Sequence, residues 1–117
     1  MEKITKFDLE ERTLNFAKRV SVYVKALPKN VSNLEWGKQL IRSSGSVGAN
    51  YIEANEALSR KDFVMRIKIS RKEAKESIYW LHLLESGGNA DKEKERLIQE
   101  GTELMKIFGS IIEKSRG

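Results

Sequence analysis

The sequence predicts an all-α fold, an up-down-up-down four-helix bundle, and three observations carry that prediction. No segment sustains the period-two alternation of a half-buried strand. Apolar residues instead recur near every 3.6 positions in four runs, each preceded by a residue able to cap a helix. The connections between runs are short, which favours antiparallel neighbours. Composition agrees: of 117 residues one is proline, 39% are hydrophobic and 33% charged, too apolar for a disordered tail. At this length a single domain over residues 1–117 is expected, burying roughly 65% of the surface its unfolded chain would expose.

The first helix is expected to start near Asp8, with Glu11 completing a capping box. Phe16, Ala17, Val20, Tyr23, Val24 and Leu27 follow at helical spacing, and Pro28 closes the run. The second start pairs Ser32 with Glu35, and Val31 with Trp36 as a hydrophobic staple. Leu40, Ile41, Ser44, Val47, Gly48, Tyr51 and Leu58 then keep the period. The third start repeats the device, with Ser59 as cap, Asp62 three residues on, and Leu58 stapled to Phe63. Its stripe reads Phe63, Ile67, Ala74, Ile78, Leu81 and Leu84, and Gly87-Gly88 offers a left-handed C-cap. Asn89 is the expected cap of the fourth helix, whose buried stripe reads Leu97, Gly101, Leu104, Phe108 and Ile111.

The stretch "IRSSGSVGANYIEA", residues 41–54, raises the question of a phosphate-binding glycine loop. A Walker A loop needs lysine and a hydroxyl directly after its last glycine, and here Ala49-Asn50 follow Gly48. A dinucleotide fingerprint must follow a strand. "GSVG" matches the GxxG loop of KH domains, but that module also needs a sheet. Small residues at 44, 45, 48 and 49 instead predict close helix packing around Ser44, Gly45 and Gly48, within the bundle or between subunits. Such packing must offset about 1 kcal/mol of helix propensity per interior glycine.

"QLIRSSGSVGANYIEA", then "SRKDF" and "KISRKEAKESIYWLHLL", resembles the four-helix-bundle family of 23S rRNA intervening-sequence proteins. The matching run covers residues 39–84. It carries an arginine-serine pair, Ala49-Asn50, Glu53, Asp62-Phe63, Lys72-Glu73-Ala74 and Tyr79-Trp80-Leu81 in order. The resemblance implies an up-down bundle assembling as a ring-like homopentamer. It also implies kinship with accessory proteins of diversity-generating retroelements, basic pentamers that bind nucleic acid and dock on a reverse transcriptase. It supplies no activity.

Residues 60–75 carry Arg60, Lys61, Arg66, Lys68, Arg71, Lys72 and Lys75 against Asp62 and Glu73, an excess of five that equals the net charge of the chain. Lys61, Lys68, Lys72 and Lys75 fall at i, i+7, i+11 and i+14, along one helical face. Such a stripe is an electrostatic footprint for RNA or DNA, and equally the pattern of a solvated helix face. Tyr79 and Trp80 lie beyond it beside Leu81 and Leu84, where core or interface packing is expected. Backbone contact is therefore the expected mode, in preference to base stacking.

A second polar group, Arg42, Asn50, Glu53, Glu73 and Glu76, lies near the apolar stripes of the second and third helices. The expectation is a structural network in which Arg42 bridges to a carboxylate of the third helix. An enzyme is not expected. The one histidine, His82, lacks the Glu-x-x-His partner of a dimetal bundle, and no nucleophile elbow precedes it. It is expected as a packed or boundary side chain. No cofactor or metal is implied, and the absence of cysteine removes thiolate sites. With no secretory or membrane-spanning apolar run, a cytoplasmic protein is expected. Two function classes remain: a basic oligomeric module that binds RNA or DNA, and a scaffold that presents its surface to a protein partner.

Overall fold

The computed structural model describes residues 6–116. Among these residues lie four α-helices and no strand: α1 (Lys6–Lys25), α2 (Val31–Asn55), α3 (Arg60–Leu83) and α4 (Asn89–Ser115). No helix is long and apolar enough to cross a membrane. The neighbours run antiparallel, because residue numbers rise on one helix as they fall on the next. Across α2 and α3 the side-chain partners are Trp36 with Trp80, Ser43 with Ser77, and Asn50 with Arg66. Across α1 and α4 they are Arg12 with Glu100, and Arg19 with Glu93. This is the up-down-up-down bundle.

Phe16, Val20, Leu40, Val47, Ile67, Ala74, Leu81, Leu97, Leu104 and Phe108 fill the interior, each at 0–1% exposure. The stripes differ from expectation in detail. Ile112 rather than Ile111 is the buried residue at the end of α4, Ile41 is exposed, and Ser43, Ser70 and Ser77 take fully enclosed positions.

The helix starts show which capping signals decide. At α3 the Ser59 side chain accepts the amide of Asp62 at 3.1 Å, as expected. At α2 the cap is Asn30, not Ser32: the Asn30 side-chain Oδ1 accepts the Asn33 backbone amide at 2.8 Å, while the Ser32 hydroxyl donates to that same oxygen. α1 is already helical at Lys6, so Asp8 occupies its first turn rather than the cap. Neither staple forms, since Val31 is 87% and Leu58 99% exposed.

α1 ends at Lys25, and the chain turns through Pro28 into α2. α3 ends in an extended residue, Leu84, so the glycine pair does not cap it. Gly88, with φ of 56°, is instead the residue that turns the chain into α4, and Asn89 already belongs to the helix. The positive φ explains why glycine stands there.

One end of the bundle is tied by a single buried side chain. The Asn33 amide group donates to the carbonyls of Pro28 and Glu85, both at 2.9 Å, and its oxygen accepts the Glu85 amide at 2.9 Å. It thereby joins the α1–α2 turn to the α3–α4 turn, satisfying backbone groups that the helices leave unpaired at their ends.

Candidate nucleic-acid interface

The glycine stretch lies in the middle of α2, where a phosphate-cradling loop conformation is absent. Its small residues serve packing, though not all those expected. A Cβ added at Gly48 would lie 2.8 Å from the Thr13 hydroxyl of α1, and one at Gly37, three turns earlier, 3.0 Å from Val24. These two glycines let α1 lie against α2. Gly45 meets nothing within 4 Å and takes no part in helix packing within the bundle. Ser44 is buried, its hydroxyl donating to the Ile41 carbonyl of the preceding turn.

The α2–α3 seam is close and polar. The Ser70 hydroxyl donates to the Val47 carbonyl at 2.9 Å, the Ser77 hydroxyl donates to the Glu73 carbonyl, and the Ser43 and Ser77 oxygens are 2.8 Å apart. Small hydroxylated side chains let two helices approach while keeping every buried hydroxyl bonded. At the Ser59 end of the seam, the Asn50 amide donates to the Ser46 carbonyl and its oxygen accepts Arg66 at 3.1 Å.

This arrangement corrects the expected network. Arg42 is exposed and, among the described residues, makes no ion pair with α3. Glu53 is likewise exposed and Glu76 half-buried, neither of them paired. Position 42 precedes the seam residue Ser43 by one step of about 100° and so turns outward, where a guanidinium keeps its water without desolvation cost. Glu73 is the buried member, with its Oε1 enclosed and unbonded.

Arg66 therefore belongs to the seam, and six cations remain on the outside of α3. Arg60, Lys61, Lys68, Arg71, Lys72 and Lys75 are all exposed. Among the described residues no ion pair involves α3; all of them involve α4 or its C-terminal cap. Of the acidic residues of α3, Glu73 is buried, Glu76 half-buried and Asp62 exposed, so the exposed cations of this helix outnumber its exposed acid. Lys61, Lys68, Lys72 and Lys75 lie opposite the buried positions Ile67, Ser70, Ala74 and Ser77 of the same helix. A shallow depression lined by Arg60, Lys61, Asp62, Val64, Met65 and Lys68 opens at its N-terminal end.

At the other end the aromatic residues behave differently from one another. Trp80 is half-buried and stacks on Trp36, ring centroids 5.6 Å apart and planes 18° from parallel. It is a packing residue, as expected. Tyr79 is 59% exposed and meets Trp80 edge-on, with centroids at 5.1 Å and planes at 70°. The expectation for both was core or interface packing, and Tyr79 lies outside the core because its angular position on α3 is that of Lys61. His82 is exposed rather than packed.

The opposite side of the molecule is neutralised. Arg12 makes a two-pronged contact with Glu100, at 2.7 and 2.8 Å, and reaches Glu103 at 2.7 Å. Glu100, then Glu103, hold the Arg12 guanidinium more firmly protonated than usual. Hydrogen bonds from Gln99 and then Arg12 hold the Glu103 carboxyl below its ordinary value. Burial raises the Tyr23 and Tyr51 phenols above theirs. Among the described residues no cluster of three or more His, Cys, Asp or Glu side chains could hold a metal ion.

The model of the family described as 23S rRNA-intervening sequence protein matches residues 5–110. The chain is also similar to a protein of unknown function from the S23 ribosomal protein family of Bacteroides thetaiotaomicron VPI-5482, known from a crystal structure. The two are 34% identical with a TM-score of 0.81, over 94% of this chain and 99% of that one. Comparison with curated proteins gives no match.

Proposed function

The chain belongs to the 23S rRNA-intervening sequence protein family, and from that premise we propose that it is a non-enzymatic, oligomeric, cytoplasmic accessory protein whose α3 face binds the phosphate backbone of RNA or DNA. The observation that carries this reading is the set of six exposed cations on α3, none engaged in an ion pair among the described residues. A chain that needs lysines only for solubility gains by mixing both signs over its surface. Here the pairs gather on α4 and leave α3 to solvent. Contacts of this kind position a backbone with little sequence preference. Several copies in one oligomer would add their weak stripes through effective concentration, and a homopentamer is the assembly the family resemblance implies.

Fluorescence anisotropy against labelled duplex DNA and a structured RNA, across a salt series, tests the proposal. Saturable binding is expected, with log K falling by about 0.9 per phosphate engaged for each decade of salt on duplex DNA. Reversing Lys68, Lys72 and Lys75 to Glu should abolish it. No binding at low salt would overturn the proposal.

A second reading, a scaffold for a protein partner (a reverse transcriptase by family kinship), draws on the apolar side chains left in water. Val22 is 70%, Val31 87% and Leu58 99% exposed. It predicts an oligomer or partner complex indifferent to the lysine reversals.

A further inference from the structure

We propose that Tyr79 is a stacking platform for an unpaired nucleobase at the end of the α3 cation track, so that the preferred ligand is single-stranded rather than duplex. This rests on the backbone-binding reading above and names its substrate class.

Tyr79 follows Lys61 by about five full helical turns, so its side chain leaves α3 in the same direction as the lysine stripe. Lys75 stands one turn before it, at a rise of about 6 Å. A strand laid along the stripe with its phosphates on Lys68, Lys72 and Lys75 would bring its next base over residue 79.

Tyr79 is also exposed to a degree that folding does not require. The neighbouring Trp80 buries its ring against Trp36, whereas Tyr79 leaves 59% of itself in water and touches Trp80 only edge-on. The edge contact fixes the tyrosine ring against a rigid indole pair without consuming both of its faces. An aromatic ring held in place and left open beside cations is what a base can stack on, whatever its identity. A duplex offers this ring only its two end faces, since its interior bases are already stacked on one another.

The test uses the full chain and three probes of equal length: a labelled thymidine homopolymer, the same strand with abasic sites throughout, and a blunt duplex. At fixed low salt, the wild-type protein should bind the thymidine strand about five- to a hundredfold more tightly than the abasic strand. Tyr79→Ala should erase that difference, Tyr79→Phe should keep it, and neither should alter duplex binding. Because the side chain is exposed, both variants should retain wild-type helicity by circular dichroism.

Equal wild-type affinity for thymidine and abasic strands would overturn the stacking role. So would a Tyr79→Ala variant that still discriminates between them. In either case the backbone reading stands if the Lys68→Glu, Lys72→Glu, Lys75→Glu protein loses all three probes. Failure of the wild type to bind any probe would overturn both.

Discussion

The α2–α3 and α1–α4 seams join helices of one bundle by opposite means. Across α2–α3, two helices approach through serine hydroxyls, each bonded, and through a stacked pair of indoles. Across α1–α4, long arginines span the gap to glutamates, two-pronged at Arg12 and again at Arg19. Phe16 is wedged near Gly101 beneath them. The first seam excludes water and depends on small side-chain volumes, so substitutions there act through sterics and unmet hydrogen bonds. The second is half in water and depends on charge, so it responds to salt and pH. The difference teaches where the bundle's electrostatics are spent: the acids of α4 neutralise α1, and the cations of α3 remain unmatched.

The largest expected effect falls where the α2–α3 seam runs out into the turns. Asn33→Ala deletes three hydrogen bonds to the backbone and should lower unfolding free energy by about 3 kcal/mol, measured by urea titration. If the two turns were held by other contacts, the loss would shrink below about 1 kcal/mol and the distinction between the seams would weaken.

Next come two alanine substitutions in one helix, of opposite sign. Gly48→Ala places a Cβ 2.8 Å from a Thr13 hydroxyl already fixed by the carbonyls of Leu9 and Glu10. It should destabilise by about 1–2 kcal/mol even after the gain in helix propensity. Gly45→Ala meets open space and should stabilise by up to about 1 kcal/mol. Equal effects at both sites would show that α1 yields.

Arg12→Ala should cost less, about 1 kcal/mol at low salt, and the loss should diminish as salt is added. A serine substitution in the other seam, Ser70→Ala, should show no such salt dependence. Smallest of all is the pH effect at Glu103. Its carboxyl is held below the ordinary value of 4.5, so the folded state binds its proton less readily than the unfolded chain. The resulting stability is present above that range and lost as pH falls through it. With Glu103 half in water, the thermal midpoint should decline only slightly below about pH 4.5. Gln99→Ala should reduce the decline.

How much of this was legible in the sequence follows from how local each signal is. The helices themselves came from periodicity, and the Ser59 cap from a serine followed three residues later by Asp62. At the α2 start the S-x-x-E pattern pointed to Ser32, and the cap proved to be Asn30, two residues earlier, whose side-chain oxygen accepts the Asn33 amide. The staples failed because a hydrophobic pair at the right spacing says nothing of whether the preceding residue points inward, and Leu58 points out.

The candidate site divides in the same way. Angular spacing located the lysine stripe, but Arg66 left it for Asn50, sixteen residues away on another helix. Arg42 was assigned a bridge that one step of helical rotation forbids. The Arg12–Glu100 clasp joins residues 88 positions apart and leaves no local mark. Tyr79 stands outside the core of the chain, where its helical angle puts it in line with Lys61.

The stack of Trp36 on Trp80 gives the molecule an internal optical gauge. These are the chain's only two tryptophans, and both report on the same seam. Parallel indoles this close couple their electronic transitions, producing a paired ellipticity band that disappears once the rings separate. Indole spectroscopy of this protein thus follows the separation of α2 from α3, while the release of α1 from α4 is largely silent to it. Two probes would therefore give coincident unfolding curves only if all four helices part together. A lag of the indole band behind backbone ellipticity would mark a state in which α1 has left and the α2–α3 pair persists.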